Sequence, residues 1–255
     1  MKKSARFGQN FLIDKKVAEK ITKNLFPVYG TVLEIGAGKG ILTNFLYKYR
    51  KESKIIAVEF DQKLCKKIEE KYIFNFEAMN VNILDIKLDD SFSDNSINLI
   101  SNVPYYISKD IIDWIMFNRN KIEKGILMMQ KEFVNKLIER EDSAQSILFR
   151  FLFYSKKLFY VNPGSFYPQP KVVSSVFSFR KIIREQKEEV NIREFYVFLK
   201  KCFMNRRKIL LNNLSDEFNR EVAKIVLIKN KINLNVRAEE LKLENFLEIY
   251  RSILN

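Results

Sequence analysis

The sequence predicts an α/β protein that ends in a small all-α domain. Short apolar runs rich in β-branched residues alternate with amphipathic helical patterns from the N-terminus to about Arg180. Such alternation is typical of βαβ units, which build a parallel sheet covered by helices. From about Lys181 onward the chain contains no glycine and no proline, and apolar residues recur at helical spacing. We therefore predict two domains, residues 1–180 and residues 181–255.

The first elements follow from local signals. Apolar side chains recur every three to four positions over residues 14–26, which predicts a helix that Asp14 can cap. The Pro27–Gly30 turn ends that helix, and the β-branched run Thr31–Ile35 predicts the first strand. A second helix is expected from Ile41, directly after a glycine-rich turn.

The later elements continue the same pattern. Apolar runs predict strands, and segments with helical periodicity predict the helices between them. Strands are expected at 54–58, 76–79, 97–101, 125–129 and 172–179, and helices at 62–72, 109–117 and 131–140, with a further apolar segment from about Ser146.

Composition limits the kind of partner. The chain has 255 residues with 45 Lys+Arg against 31 Asp+Glu, a formal net charge of +14, and 47% of its residues are hydrophobic. The hydrophobic content is too high for a disordered basic tail. The positive charge indicates nucleic acid or an anionic membrane as partner, and a lysine-rich proteome would also produce it.

Several classes of chemistry are excluded by residue types. The sequence contains no histidine, which rules out catalysis by histidine and zinc sites with histidine ligands. Cys65 and Cys202 are far apart, a spacing that fits neither a zinc site nor a disulfide scaffold. The most apolar stretch, residues 147–161, is interrupted by charged residues. We expect a cytoplasmic, soluble protein without a metal ion and without membrane contact.

A glycine-rich turn lies between the first predicted strand and the second helix. In Glu34-Ile-Gly-Ala-Gly-Lys-Gly40, Gly36 and Gly38 let the backbone approach a ligand. Glu59 comes at the end of the next strand, where its carboxylate can accept hydrogen bonds from ribose hydroxyls. The pattern resembles the first motif of methyltransferases that use S-adenosylmethionine, which implies a Rossmann-like domain. The alternative is a tight turn that binds no ligand.

The segment Asn102-Val-Pro-Tyr105 follows the fourth predicted strand. It resembles the Asn-Leu-Pro-Tyr motif of rRNA adenine dimethyltransferases, which belong to the methyltransferases that act on amino groups. The resemblance implies that Asn102 and a nearby carbonyl accept the N6–H bonds of adenine, while Tyr105 stacks on an extruded base. The alternative is an ordinary loop in which Pro-Tyr only packs.

Two further segments extend the resemblance. Arg6-Phe-Gly-Gln-Asn-Phe-Leu12 resembles a signature of the KsgA family and the related Erm enzymes, which implies that Asn10 and Leu12 contact the methyl donor. Phe166-Tyr-Pro-Gln-Pro-Lys-Val172 resembles the family's Phe-x-Pro-x-Pro-Lys-Val segment. This implies that Phe166 is a second stacking residue, and Lys171 is a candidate phosphate contact.

One position departs from the family. An Asp of the family commonly contacts the amino group of the cofactor's adenine, and the matching position here is Asn82. The oxygen of Asn82 can accept the same hydrogen bond without charge assistance. Asp85, further along the same segment, is the alternative, and we favour Asn82.

The C-terminal region indicates the subfamily. Residues 128–137, 203–214 and 237–241 resemble the KsgA housekeeping enzymes more than the Erm enzymes. Arg206, Arg207 and Lys208 fall on helical positions that are not apolar, and the resemblance implies that they contact rRNA phosphates. A solvated charged face is the alternative.

Together these motifs predict an enzyme that methylates RNA. The resemblance implies transfer of methyl groups from S-adenosylmethionine to N6 of two adjacent adenosines in small-subunit rRNA, which gives N6,N6-dimethyladenosine. We expect a monomer that acts on the assembling small subunit. The alternatives are an Erm-like enzyme that modifies large-subunit rRNA, and a ribosome-assembly or transcription factor that has kept the fold without catalysis.

Overall fold

The computed structural model describes residues 10–49, 53–88, 96–183 and 190–254. Contacts group the chain into two compact units. The first unit consists of residues up to Val134 together with Tyr154–Lys181. The second consists of Asn135–Phe153 and the residues from Ile182 onward.

The grouping of residues 135–153 differs from the sequence prediction, which placed them in the first domain. Their side chains find their partners in the C-terminal helices. The ring of Phe151 packs edge-on against that of Phe195, with centroids 5.8 Å apart. The carboxylate of Glu141 accepts a hydrogen bond from the backbone N–H of Leu243 (2.8 Å). Since these contacts join positions far apart in the chain, local patterns did not reveal them.

The strands confirm the predicted α/β class. They are β1 Phe11–Leu12, β2 Thr31–Ile35, β3 Ile55–Val58, β4 Phe76–Met79, β5 Ile97–Asn102, β6 Ile122–Gln130, β7 Phe153–Val161, β8 Phe166–Tyr167 and β9 Ser174–Lys181. Seven of them form one sheet in the order β4-β3-β2-β5-β6-β9-β7, and β1 pairs with β8 in a separate two-stranded sheet. Neighbouring strands from β4 to β6 are parallel, while β9 runs antiparallel to β6.

Helices connect the strands and continue to the C-terminus. They are α1 Lys15–Leu25, α2 Ile41–Tyr49, α3 Gln62–Glu69, α4 Ser108–Phe117, α5 Lys131–Glu139, α6 Ala144–Leu152, α7 Ile192–Cys202, α8 Leu210–Ser215, α9 Arg220–Lys229 and α10 Leu243–Leu254. Asp14 caps α1 as predicted, because its side chain accepts hydrogen bonds from the backbone N–H groups of Lys16 and Val17. In the described part of the chain, no helix is long and apolar enough to cross a membrane.

The core explains why the central strands are apolar throughout. All five residues of β2 are buried, as expected for a strand covered on both faces. Ile21 and Leu25 of α1 pack with residues of β2, β5 and β6 in one hydrophobic cluster. Both side chains are 1% exposed or less. This packing supports the parallel strands, and the functional side chains lie at their carboxyl ends.

Candidate active site

A cavity of about 270 Å³ lies at the carboxyl ends of β2, β3 and β5. Ligands bind in this position in open α/β sheets. Most of the residues predicted to bind the cofactor or the base line its wall. These residues are Asn10, Leu12, Gly36, Gly38, Glu59, Asn82, Asn102 and Tyr105.

The glycine turn after β2 has a backbone that other residues adopt poorly. Gly36 has a φ angle of 66° and Gly38 one of 59°, both in the left-handed region. A Cβ atom added to Gly38 would lie 3.3 Å from the ring of Phe11. A side chain at position 38 would therefore press against the ring of Phe11 and would also have to adopt a left-handed backbone.

Glu59 joins the end of β3 to this turn. Its side chain is 3% exposed. One carboxylate oxygen accepts a hydrogen bond from the backbone N–H of Gly38 (2.7 Å), and the other accepts one from the N–H of Asp61 (2.8 Å). A carboxylate offers about four acceptor positions, so each oxygen keeps one for a ribose hydroxyl.

Glu34 is a second acidic residue at the cavity, and the sequence reasoning gave it no separate role. Its side chain is 1% exposed and accepts a hydrogen bond from the hydroxyl of Thr43 (2.6 Å). Burial raises the pKa of Glu34 to about 8, and the nearby Glu59 adds to the increase. Burial therefore favours the protonated, uncharged form of Glu34.

Asn102 lies at the end of β5, paired in register with Met128 of β6. Its side-chain nitrogen donates a hydrogen bond to the backbone carbonyl of Asn10 (3.3 Å). The adjacent backbone is fixed as well, since the N–H of Val103 donates to the carbonyl of Met128 (3.0 Å). The side-chain oxygen of Asn102 accepts no hydrogen bond from the described residues, so it is available as an acceptor for a ligand.

Tyr105 is held by a hydrogen bond to strand β9. Its hydroxyl lies 2.7 Å from the hydroxyl of Ser174 on β9, and Ser174 is fully buried. Burial raises the pKa of Tyr105, while the hydrogen bond with Ser174 lowers it. The hydroxyl of Tyr105 is therefore uncharged at neutral pH and is fixed by its hydrogen bond with Ser174.

The structure does not bring Phe166 to the cavity wall. In the β1–β8 pair, Phe166 is the partner of Leu12, and its side chain is 3% exposed within the hydrophobic cluster. The next residue, Tyr167, is 67% exposed. The ring predicted to stack on a base is covered here, because the short pairing with β1 turns it inward.

Asn82 and Asp85 occupy different environments. Asn82 lines the cavity, and its side-chain oxygen accepts a hydrogen bond from the N–H of Leu84 (3.2 Å) at the start of the 3₁₀ turn Ile83–Asp85. Asp85 is exposed and is not part of the cavity wall. Of the two alternatives, only Asn82 is placed to meet a ligand in this cavity.

Two aromatic residues at the cavity were missed. Phe60 and Tyr106 line it and are 61% and 60% exposed. Each directly follows a residue that the sequence analysis singled out, Glu59 and Tyr105 respectively. The sequence could have indicated both residues, because each is an aromatic side chain that directly follows a predicted binding residue.

The predicted RNA-binding residues lie outside the cavity. Lys171 is exposed after β8. Arg206, Arg207 and Lys208 are exposed in the turn between α7 and α8, and not on a helix as predicted. The helix ends at Cys202, whose carbonyl accepts a hydrogen bond from the side chain of Asn213 (2.8 Å).

Two of these cations already have acidic partners. The guanidinium of Arg206 lies 4.0 Å from the carboxylate of Asp142 and donates a hydrogen bond to the backbone carbonyl of the same residue (2.6 Å). The ammonium of Lys208 lies 3.9 Å from the carboxylate of Asp216. Within the described ranges, no group of three or more Cys, Asp or Glu side chains is placed to hold a metal ion.

Comparison with known proteins gives consistent results. The model of the family described as ribosomal RNA adenine dimethylase matches residues 1–255. A protein of Mycoplasma mobile named ribosomal RNA small subunit methyltransferase A is 38% identical, over 92% of both chains. One of the same name from Mycoplasmopsis pulmonis is 34% identical, over 98% of both chains.

Solved structures agree on the fold. A dimethyladenosine transferase from Plasmodium falciparum superposes with a TM-score of 0.75 at 22% identity, covering 96% of this chain and 97% of the other. The 23S rRNA methyltransferase ErmE gives a TM-score of 0.71 at 22% identity, covering 96% and 100%. The full-length family match and the relatives at 38% and 34% identity show that this chain belongs to the ribosomal RNA adenine dimethylase family.

Proposed function

We propose that the chain transfers methyl groups from S-adenosylmethionine to N6 of two adjacent adenosines in small-subunit rRNA, giving N6,N6-dimethyladenosine. Family membership and the names of the relatives support this reaction. The observation that carries it is the position of Asn102, which shares one cavity wall with the glycine turn and Glu59. An acceptor for an amino group and a nucleoside site therefore lie side by side.

The cavity residues fit S-adenosylmethionine. Glu59 has free acceptor positions for the ribose, and the backbone of the glycine turn lines the cavity at Gly36 and Gly38. Phe60, Val81 and Ile83 give this end of the cavity an apolar wall suited to an adenine ring. When bound, the cofactor supplies an electrophilic methyl group on its sulfonium.

Asn102 would act on the target amino group through the oxygen of its amide. The N6 lone pair of adenine is delocalised into the ring, so N6 is a poor nucleophile. Hydrogen bonds from N6 to the Asn102 oxygen and to a nearby carbonyl hold the amino group in an orientation that exposes the lone pair. The carbonyl of Asn10 fixes which end of the amide faces the base.

The chain supplies position and hydrogen-bond acceptors and needs no strong base. The sequence has no histidine, and burial raises the pKa of both Glu34 and Tyr105. Glu59 is held by two backbone N–H groups. Catalysis then depends on orientation and exclusion of water, which contribute much of the rate in group-transfer enzymes.

The proposed partner is the small subunit as it assembles in the cytoplasm. Lys171, Arg206, Arg207 and Lys208 are exposed cations suited to rRNA phosphates. The small-subunit assignment rests on the names of the relatives. The likeness to ErmE concerns the fold alone, so a large-subunit target is the second candidate, and mapping the methylated adenines distinguishes the two.

The test is transfer of a tritiated methyl group to unmethylated small subunits, followed by nucleoside analysis. We expect Asn102→Ala to lose transfer by roughly 100-fold or more, as for removal of one group that stabilises a transition state. Binding of S-adenosylmethionine should be retained within a few-fold. Asn162→Ala is the matched control, because Asn162 is exposed and makes no capping hydrogen bond. Full dimethylation by Asn102→Ala would contradict the assignment.

A further inference from the structure

A second cavity, of about 190 Å³, lies where β6 begins and β9 ends. This is the edge of the sheet opposite the carboxyl ends of the parallel strands. The residues around it share polar or cationic character at the rim and apolar character at the base. They are Asn24, Leu25, Lys124, Gly125, Ile126, Tyr154, Ser178, Phe179 and Arg180.

Two of these residues form an unfavourable pair of like charges, which we call the rim cation pair. Lys124 and Arg180 are direct partners in the antiparallel register of β6 and β9. Directly opposed side chains have Cβ atoms about 5 Å apart, and like charges in that position destabilise a sheet. Burial lowers the pKa of Lys124, and Arg180 lowers it further.

No carboxylate neutralises the pair from within the cavity, since none of the described residues that line it is acidic. Glu123, next to Lys124, is exposed and lies on the other face of the strand because successive side chains alternate. It raises the pKa of Lys124, but less than burial lowers it. The two cations therefore face a cavity whose described wall has no negative charge.

Several donors at the rim are free. The ammonium of Lys124 donates to the carbonyl of Pro27, which leaves two of its three N–H groups. Within the described residues the side chain of Arg180 forms no hydrogen bond or ion pair, and it is exposed. Tyr154 on the edge strand β7 is 67% exposed. An ammonium, a guanidinium and a phenol together match the oxygens of a phosphate group.

We propose that Lys124, Arg180 and Tyr154 form a binding site for backbone phosphates of rRNA, distinct from the cofactor cavity. The proposal rests on the proposed function, because that function supplies the RNA. Lys124 and Met128, the partner of Asn102, lie on the same strand β6, and strand geometry separates them by about 13 Å. The site therefore binds RNA away from the target adenine and contributes affinity without selecting the base.

The experiment measures binding of unmethylated small subunits as a function of salt concentration. Each phosphate contact adds about 0.9 to the slope of log affinity against log salt for duplex DNA, and about 0.7 for single strands. We expect Arg180→Gln to reduce the slope by about 0.7 to 0.9, and Lys124→Gln to do the same. Affinity for S-adenosylmethionine should not change. Lys66→Gln is the control, because Lys66 is exposed and lies 3.9 Å from Glu70.

Arg180→Glu separates this role from a structural one. It replaces the repulsion with an attraction across the strands, so the melting temperature should rise while affinity for the subunits falls. If Arg180→Gln and Lys124→Gln leave the slope of log affinity against log salt unchanged, the proposal is overturned. If the parent still transfers methyl groups in that case, the proposed function stands. Inorganic phosphate is the second probe. Suppose that phosphate raises the melting temperature of the parent, while the parent and the two Gln variants show the same salt dependence of subunit binding. The site then binds a small anion, and the RNA proposal is wrong.

Discussion

The hydrogen bond between Tyr105 and Ser174 gives a quantitative prediction about base presentation. The two hydroxyls are 2.7 Å apart, and Ser174 has no exposed surface. A hydrogen bond of this kind contributes about 1 kcal/mol net. If it serves to orient the ring for stacking, that energy is lost from the transition state when either hydroxyl is removed. A loss of about 1 kcal/mol corresponds to about fivefold in rate.

The assay is a double-mutant cycle on methyl transfer. Tyr105→Phe and Ser174→Ala should each lower kcat about fivefold, and the double variant should be no worse than either single variant. The coupling energy is then about 1 kcal/mol. The KM for S-adenosylmethionine should not change, since neither hydroxyl is needed to hold the cofactor.

Ser175→Ala is the control for this cycle. Ser175 is also fully buried on β9, and its hydroxyl has no hydrogen-bond partner within the described residues. Its removal should leave kcat unchanged. The reasoning is refuted if the effects of Tyr105→Phe and Ser174→Ala multiply to about 25-fold, or if Ser175→Ala is as slow as Ser174→Ala.

The other predictions concern the cofactor cavity. Glu59→Gln should lower the free energy of unfolding by about 1–3 kcal/mol, because one backbone N–H loses its acceptor, and should weaken cofactor binding in calorimetry. Gly38→Ala should cost about 1–2 kcal/mol from its left-handed backbone and reduce cofactor affinity. Gly164→Ala is its control, since an added Cβ would have no neighbour within 4 Å; equal losses in both would contradict the argument. Glu34 has a folded pKa of about 8 against 4.5 unfolded, so stability should fall with rising pH between these values, by up to about 1.4 kcal/mol per unit. Glu34→Gln should remove that dependence, measured as the free energy of unfolding from urea titrations at pH 6 and pH 8. If the variant and the parent show the same dependence on pH, Glu34 is ionised in the folded protein.

The parallel part of the fold was predictable because its signals are local. The run Thr31–Ile35, the glycines after it and Glu59 at the next strand end are each readable within a few residues. Strand β7 was not predicted, since its charged residues interrupt the apolar run and its partner β9 comes later in the chain. The pairing of β1 with β8 was missed for the same reason.

The candidate site shows the same division. Motif resemblance indicated the wall residues Asn10, Glu59 and Asn102, and the structure places them around one cavity. It did not reveal that Phe166 is covered, because burial depends on the strand that pairs with it. Nor did helical periodicity show that Arg206 lies in a turn, since the end of α7 is fixed by a side chain beyond it.

The pairing of β1 with β8 has a consequence for how the enzyme is made. Phe11 and Leu12 form part of the cavity wall, yet their partners, Tyr167 and Phe166, come much later in the chain. Ser165 adds a backbone bond to Ile13 (2.8 Å). During synthesis, the parallel sheet can assemble well before these residues leave the ribosome. The wall around Leu12 is therefore completed only after Tyr167 has been synthesised, whereas the glycine turn and Glu59 lie wholly within the part of the chain that is made first.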